Sequence, residues 1–206
     1  MKLSDKTKFV ISVLNELYPE PEIPLEHENN FTFLVAVMLS AQSTDKKVNQ
    51  ITPKLFAKAN TPEKMDKLSE KEIRTLIREI GLAPTKSKNI KRTCKQLLEK
   101  HAGEIPDNFE ELEELAGVGH KTASVIMAQA FNVPAFPVDT HIHRLAFRWG
   151  LSNGKNVQTT EKDLKSSFKK KDWNRLHLQM IFYGREHCQA RKRICECRIC
   201  EGIRNS

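Results

Sequence analysis

Four of the five cysteines of the chain lie in one C-terminal segment, CQARKRICECRIC. They have the spacing C-x6-C-x1-C-x2-C and are Cys188, Cys195, Cys197 and Cys200. In a reducing compartment, clustered thiolates are more often metal ligands than disulfides. The spacing is not one of the common zinc patterns. The residue types alone therefore leave three interpretations open: an iron–sulfur cluster, a tetrahedral zinc site, or a site that holds no metal.

A lysine near two glycines has the placement of a nucleophile. In LAGVGHKTASVIMAQAF, a short helix ends and Gly117 and Gly119 flank Val118. A second helix begins near His120, and its first N–H groups form a phosphate site, although two glycines alone also fit an ordinary helical corner. Lys121 falls in the first turn, where the helix dipole disfavours a cation. We expect the small apolar helix behind it to bury its stem and favour a neutral, nucleophilic amine.

An aspartate follows this lysine by eighteen residues, in the segment VDTHIHRLAFRWG. Aspartate is among the best N-caps, so we expect Asp139 to cap a helix that Gly150 closes. A carboxylate at a helix start is held rigidly, so the capping role does not exclude a catalytic one. His141 and His143 are two residues apart on this helix and share no face, so a metal site there is not expected.

The elements that position these residues are predicted to be helices. Apolar residues recur at helical spacing over residues 9–17 and 73–80. Ser69 with Glu72 forms a capping box, and we expect Gly81 to close that helix. No Asn-Gly pair is flanked by alternating apolar runs, so no hairpin of strands is expected. Further helix starts are predicted at Thr61, Asn108, Thr160 and Asp172.

Charge indicates an acidic partner. The chain of 206 residues has a formal charge of +8, which favours nucleic acid or an anionic membrane. The longest apolar run, residues 33–39, is far shorter than the roughly 20 residues that a spanning helix needs. The N-terminus lacks the pattern of an export signal. We therefore expect a cytoplasmic protein, associated with the nucleoid in a bacterium, that binds nucleic acid and no membrane.

Five segments resemble those of the endonuclease III family, which are bifunctional helix–hairpin–helix DNA glycosylases. LAGVGHKTA, PVDTHIHR and YGREHCQARKRIC resemble its hairpin, catalytic-aspartate and cysteine-loop segments, and FLVAVMLSAQSTDKKVN and IGLAPTKSKNIKRTCKQL resemble two earlier ones. The resemblance implies a monomer of two all-α domains with damaged double-stranded DNA between them. Residues 22–132 would form a six-helix domain with the hairpin, and residues 1–21 with 133–206 the second domain.

The resemblance also implies an activity and roles for single residues. The protein would excise oxidised pyrimidines in base excision repair, Lys121 forming a Schiff base that leads to β-elimination and Asp139 stabilising charge on the sugar. Gln42 and Leu82 would fill the gap left by the extruded base, although a helix-surface amide and a C-cap contact are their ordinary interpretations. Phosphates would be contacted by hairpin and loop residues, namely Gly117, Val118, Gly119, Arg185, Arg191, Lys192, Arg193 and Arg198.

The chain departs from the family pattern at several positions. Family members space four cysteines C-x6-C-x2-C-x5-C around a [4Fe–4S] cluster, whereas here Cys197 and Cys200 lie one and four residues early. The resemblance implies a [4Fe–4S] cluster in a tighter loop, with zinc as the alternative. Ala116 and His120 stand where proline and arginine are common. A glycosylase for mismatched or alkylated bases, or a non-catalytic DNA-binding protein, are the alternative functions.

Overall fold

The computed structural model describes residues 1–191 and 195–205. Within these residues the chain forms twelve α-helices, a 3-10 turn at Lys170–Asp172 and no strand, which confirms the all-α prediction. The helices are α1 (Leu3–Leu17), α2 (Asn30–Ser40), α3 (Asp45–Lys58), α4 (Pro62–Lys67), α5 (Glu70–Leu76), α6 (Ala83–Lys100), α7 (Phe109–Glu114), α8 (His120–Gln129), α9 (Thr140–Arg148), α10 (Val157–Ser167), α11 (Trp173–Glu186) and α12 (Arg198–Arg204).

Packing divides the chain into two compact units, Ile23–Phe131 and the combination of Met1–Glu22 with Asn132–Ser206. The first unit, every residue of which is described, contains the seven helices α2 to α8, where six were expected. The extended backbone of Ser69 and its capping box with Glu72 separate α4 from α5, in agreement with the two helix starts predicted at Thr61 and Ser69.

Helix α2 forms the centre of the first unit. Every residue of this helix from Phe31 to Leu39 is buried, because a helix that is apolar on all sides must be covered on all sides. It packs against α3, α6 and α8. Burial of each large apolar side chain contributes about 1.5–3 kcal/mol. Among the described residues, no helix has the length and apolar character required to cross a bilayer.

The second unit joins the start of the chain to its C-terminal third. Helix α11 packs against α9 and α1, and its Gln179 is fully buried. The amide of Gln179 donates to the carbonyl oxygen of Tyr18 at 2.7 Å and to Asn15 Oδ1 at 3.1 Å. These bonds satisfy polar groups in the core and tie the N-terminal helix to a segment more than 160 residues away.

Most predicted helix starts are confirmed. Ser69 Oγ accepts from the N–H of Glu72 at 3.2 Å, and Glu72 accepts from the N–H of Ser69 at 2.8 Å. Thr61 and Asn108 cap α4 and α7, and Asp172 directly precedes α11.

Two of the predicted helix boundaries are wrong. Helix α5 ends at Leu76, and the chain turns through residues 77–81 before α6, so Gly81 does not close α5. Helix α10 begins at Val157 instead of after Thr160. Asn156 is an equally good N-cap four residues earlier, and its Oδ1 accepts from the N–H of Thr159 at 2.7 Å.

Candidate functional site

The turn between α7 and α8 requires one of its two glycines for backbone reasons. Gly117 has φ +80°, and a Cβ there would lie 2.6 Å from the side-chain nitrogen of Asn89. Gly119 precedes α8 with φ −100°, and a Cβ added there would meet no described atom within 4 Å. Val118 between them is buried. The turn is therefore anchored at Gly117 and Val118, while Gly119 leaves open space at the start of α8.

Helix α6 holds this turn with side-chain hydrogen bonds. Thr93 Oγ1 donates to the carbonyl oxygen of Ala116 at 2.8 Å, and Gln96 Oε1 accepts from the N–H of Ala116 at 2.8 Å. The amide nitrogen of Gln96 donates to the carbonyl oxygen of Glu114 at 2.9 Å. Because these bonds satisfy the main chain of the turn, its shape is fixed before any ligand binds.

Lys121 lies at the second position of α8, so the helix start predicted near His120 is confirmed. The expected burial of its stem is wrong, because Lys121 is exposed. Side chains of a helix lean towards its N-terminus, and a first-turn residue has no preceding turn to cover it. The buried face of α8 is formed instead by Ala123, Ser124, Ile126, Met127 and Ala128. The amine is thus presented beyond the helix end.

Gln42 and Leu82 share a rare backbone conformation. Their φ angles are +56° and +61°, in the left-handed region that non-glycine residues seldom adopt. Gln42 follows the end of α2, and Leu82 is the N-cap of α6, so neither ordinary interpretation holds. Both are exposed. A Cβ built on Gly81 would lie 3.4 Å from the carbonyl oxygen of Gln42, which places the two turns side by side.

Sequence reasoning missed Lys86, which is buried beside these turns. Its Nζ donates to the carbonyl oxygens of Leu39 at 2.8 Å and Ala41 at 2.5 Å. A signal for this burial was present in the sequence, because Lys86 lies four residues before Ile90 and shares the apolar stripe of α6 with it and Cys94.

Asp139, in the second unit, is the N-cap of α9, as predicted. Its Oδ1 accepts from the N–H of Ile142 at 2.8 Å, and Gly150 follows the helix with φ +62°. His143 Nδ1 lies 2.8 Å from Thr160 Oγ1, whereas His141 Nδ1 lies 3.3 Å from an Arg144 nitrogen. The two histidines thus have different partners.

The four C-terminal cysteines come together in the second unit. Their sulfur atoms all lie within 4.8 Å of one another. Cys188 Sγ is 3.3 Å from Cys195 Sγ and 3.9 Å from Cys200 Sγ. Cys197 is half-buried, and the other three are buried in the core. Hydrogen bonds with Cys188 and Cys200 hold the pKa of Cys197 well below its usual range, which favours a thiolate.

This donor set fits a metal centre. Four thiolates are the ligands of a [4Fe–4S] cluster and also of structural zinc. In tetrahedral zinc sites, Zn–S bonds of about 2.3 Å place the sulfurs about 3.8 Å apart, which is within the observed range of separations. An iron–sulfur cluster is larger than one ion, so it would spread the four sulfurs.

Arginines surround the cysteine loop, and they have different roles. Arg148 Nη1 donates to Cys188 Sγ at 3.2 Å and to the carbonyl oxygen of Gln189 at 2.9 Å. Arg198 forms two hydrogen bonds with Glu16, at 2.7 and 2.8 Å, so the expectation that Arg198 faces phosphate is not supported. Arg191 is exposed, whereas Lys192 and Arg193 lie outside the described residues.

Comparison with known proteins identifies the family. A model of HhH-GPD superfamily base excision DNA repair proteins matches residues 35–170. Endonuclease III of Bacillus subtilis is 41% identical, over 92% of this chain and 88% of its own. The chain belongs to the endonuclease III family. Endonuclease III of Haemophilus influenzae is 42% identical, over 97% of this chain and 95% of its own, so the similarity of endonuclease III to this chain extends across both units.

A solved endonuclease III structure agrees with this assignment. The structure of a trapped endonuclease III–DNA covalent intermediate has a TM-score of 0.91 and 37% identity to this chain, and the match covers 98% of this chain and 99% of the other. The resemblance to the endonuclease III family is therefore confirmed in both sequence and fold.

One departure of this endonuclease III relative from the family pattern has a structural consequence. His120 Nδ1 lies 2.8 Å from Glu113 Oε1, and its ring stacks on Phe109 with centroids 5.9 Å apart. The imidazole therefore packs on α7, whereas an arginine at this position would carry a longer cationic side chain.

Proposed function

We propose that the protein is a DNA glycosylase with AP lyase activity that acts in base excision repair. The observation that carries this proposal is the exposed Lys121 at the second position of α8, directly after a preformed hairpin turn, in a chain of the endonuclease III family. A cation at a helix N-terminus is unfavourable for stability. This placement is suited to an amine that reacts in its neutral form.

Lys121 would carry the covalent chemistry. Bases inside a duplex are inaccessible, so the damaged nucleotide must first leave the stack. The neutral amine then attacks C1′ of the sugar, and the base leaves with the electrons of the C1′–N bond and takes up a proton. The amine then loses a proton, and the C1′–O4′ bond of the sugar ring breaks, with the ring oxygen taking up a proton, to give an iminium that acidifies the 2′ proton. Loss of that proton expels the 3′ phosphate, and water finally releases the enzyme from the imine.

Asp139 would assist these steps from the start of α9. The N–H of Ile142 fixes its carboxylate, and a fixed anion stabilises the positive charge that develops on the sugar. The same carboxylate is a suitable acceptor for the proton that Lys121 loses after attack.

DNA binding would use the main chain of the hairpin and two exposed side chains. Gly119 opens α8, whose first N–H groups and dipole favour a phosphate, and Gly117 and Val118 shape the approach to it. Gln42 and Leu82 would occupy the gap left by the extruded nucleotide, and Arg191 would contact the backbone. The substrate would be duplex DNA with an oxidised pyrimidine or an abasic site, bound by a monomer in the cytoplasm.

The four thiols would hold a [4Fe–4S] cluster as a structural centre, with Cys188, Cys195, Cys197 and Cys200 as ligands. Its contribution would be to fix the loop that presents Arg191. The sulfur separations of 4.8 Å or less favour zinc as the alternative. Colour and metal content of protein purified without oxygen distinguish the two, because an iron–sulfur cluster is coloured and zinc is colourless.

Trapping with borohydride tests the activity. Borohydride reduces the imine between Lys121 and an abasic duplex to a stable covalent adduct. Wild-type protein and Lys95→Gln, an exposed control on α6, should both form the adduct, and Lys121→Gln should form none. Absence of an adduct with wild type, or an undiminished adduct with Lys121→Gln, would contradict the proposal. Duplexes that each carry one defined lesion then identify the preferred base.

A further inference from the structure

Lys86 is a buried cation that the proposed chemistry does not use. It is the fourth residue of α6, and only 6% of its surface is exposed. Burial costs an ammonium its hydration unless polar groups replace the water, and here desolvation lowers the pKa of Lys86. A methionine of similar length would fill the same space without this cost. The ammonium therefore requires an explanation beyond packing.

The ammonium binds the end of another helix. Its two acceptors, the carbonyl oxygens of Leu39 and Ala41, are 2.8 and 2.5 Å away, on either side of the last residue of α2. Carbonyls at a helix end lack intrahelical donors. Lys86 supplies them from α6, and so it fixes the peptide that leads into Gln42, whose left-handed backbone needs such support.

The main chain of the same residue binds the neighbouring turn. The N–H of Lys86 donates to the carbonyl oxygen of Leu82 at 2.9 Å, which is the first hydrogen bond of α6. Leu82 is exposed and left-handed, like Gln42. Lys86 is thus bonded through its side chain to one turn and through its backbone to the other.

We propose that Lys86 is a positioning residue that sets Gln42 and Leu82 side by side, so that both can enter the gap left by an extruded nucleotide. The proposal rests on the proposed function. Its consequence is that the effect of Lys86 on the cleavage rate depends on whether the DNA is double-stranded or single-stranded. A gap exists only in a duplex, whereas an abasic site in single-stranded DNA needs no side chain in place of a missing partner. Lys86 should therefore matter for cleavage of duplex DNA alone.

The test compares single-turnover cleavage of one abasic oligonucleotide, either annealed or single-stranded. Lys86→Met should lower the duplex rate about tenfold or more, and leave the single-stranded rate within about twofold of wild type. Lys95→Met, an exposed control on the same helix, should change neither rate. Gln42→Ala should show the same duplex-specific loss. A variant with both Lys86→Met and Gln42→Ala should cleave duplex DNA no more slowly than the slower of the two single variants, because both substitutions act through one turn.

An unchanged ratio of the duplex rate to the single-stranded rate would overturn the positioning role, whether both rates fall equally or neither falls. The ratio is measured on one preparation, so a reduced folded fraction cancels. If Lys86→Met is insoluble, Lys86→Arg replaces it, which keeps the charge in a bulkier head group. Lys86→Arg should lower the ratio of the duplex rate to the single-stranded rate, and an unchanged ratio would again overturn the role. Wild type that cleaves neither substrate would refute the proposed function itself.

Discussion

The hairpin turn of residues 115–119 and the cysteine loop of residues 188–200 are held by different means. The hairpin turn is held by neutral hydrogen bonds from Thr93 and Gln96 of α6. The cysteine loop is held by Arg148, by the pair of Arg198 with Glu16, and by the contacts of four thiols. The hairpin therefore needs only protein atoms to keep its shape, whereas four thiolates at such short distances repel one another unless a cation lies between them.

This difference separates the two tasks expected of a repair glycosylase, which are covalent chemistry at Lys121 and contact with the DNA backbone at Arg191. The turn that presents Lys121 lies in the first unit, which contains none of the four cysteines. The loop that presents Arg191 depends on what the thiols bind. Loss of the metal should therefore affect the second unit and leave the structure of the hairpin turn intact.

Removal of a thiol ligand is the largest expected effect. Cys188→Ala should lose the metal and with it several kcal/mol of stability, which corresponds to a decrease of about 10 °C or more in the unfolding temperature. Cys94→Ala, the matched change at a buried cysteine in the other unit, should keep the metal and lose about 1 kcal/mol. Metal analysis and thermal unfolding measure both. A Cys188→Ala protein with full metal content would show that the thiols do not form one site.

A substitution at Gly117 should affect the hairpin alone. Gly117→Ala forces a left-handed alanine against Asn89, at a cost of about 1–3 kcal/mol. Gly119→Ala, in open space at φ −100°, should cost less than about 0.5 kcal/mol. Denaturant unfolding of the two variants checks the difference, and metal content should be unchanged in both. Equal losses of stability would mean that the turn is not anchored at Gly117.

The smallest expected effect concerns the bond that Thr93 makes to the turn. Thr93→Val keeps the shape of a buried side chain and removes its bond to Ala116, which should cost about 1–2 kcal/mol. Thr75→Val, on an exposed helix face, should cost less than about 0.5 kcal/mol. Hydrogen exchange at the N–H of Ala116 should accelerate only in the first variant. Unchanged exchange would indicate that the bond from Thr93 does not help to hold the turn.

Patterns in the sequence predicted most of the helix caps, which depend on residues nearby in the chain. The N-cap role of Asp139 and the capping box of Ser69 depend on residues three positions away, and both are present. The prediction for Thr160 was wrong because a second cap, Asn156, competes within the same few residues. Such competition cannot be resolved from cap preferences alone, since asparagine and threonine are both good caps.

Features that depend on tertiary contacts could not be predicted from the sequence. The carbonyls that bind Lys86 belong to residues more than forty positions earlier, and no pattern in α6 names them. By contrast, the exposure of Lys121 could have been inferred from the sequence, because the predicted helix start near His120 already puts it in the first turn, where no preceding helical turn covers it. The sequence alone indicated that the four cysteines lie together, but it did not indicate the distances between their sulfur atoms.

The position of the covalent bond tests most directly whether Lys121 is the nucleophile. Protein treated with borohydride on an abasic duplex is digested and its peptides are weighed by mass spectrometry. The sugar remnant should lie on the peptide that contains Lys121, and Lys121→Gln should yield no modified peptide there. A remnant on the N-terminal amine or on another lysine in the wild-type protein would contradict this role of Lys121.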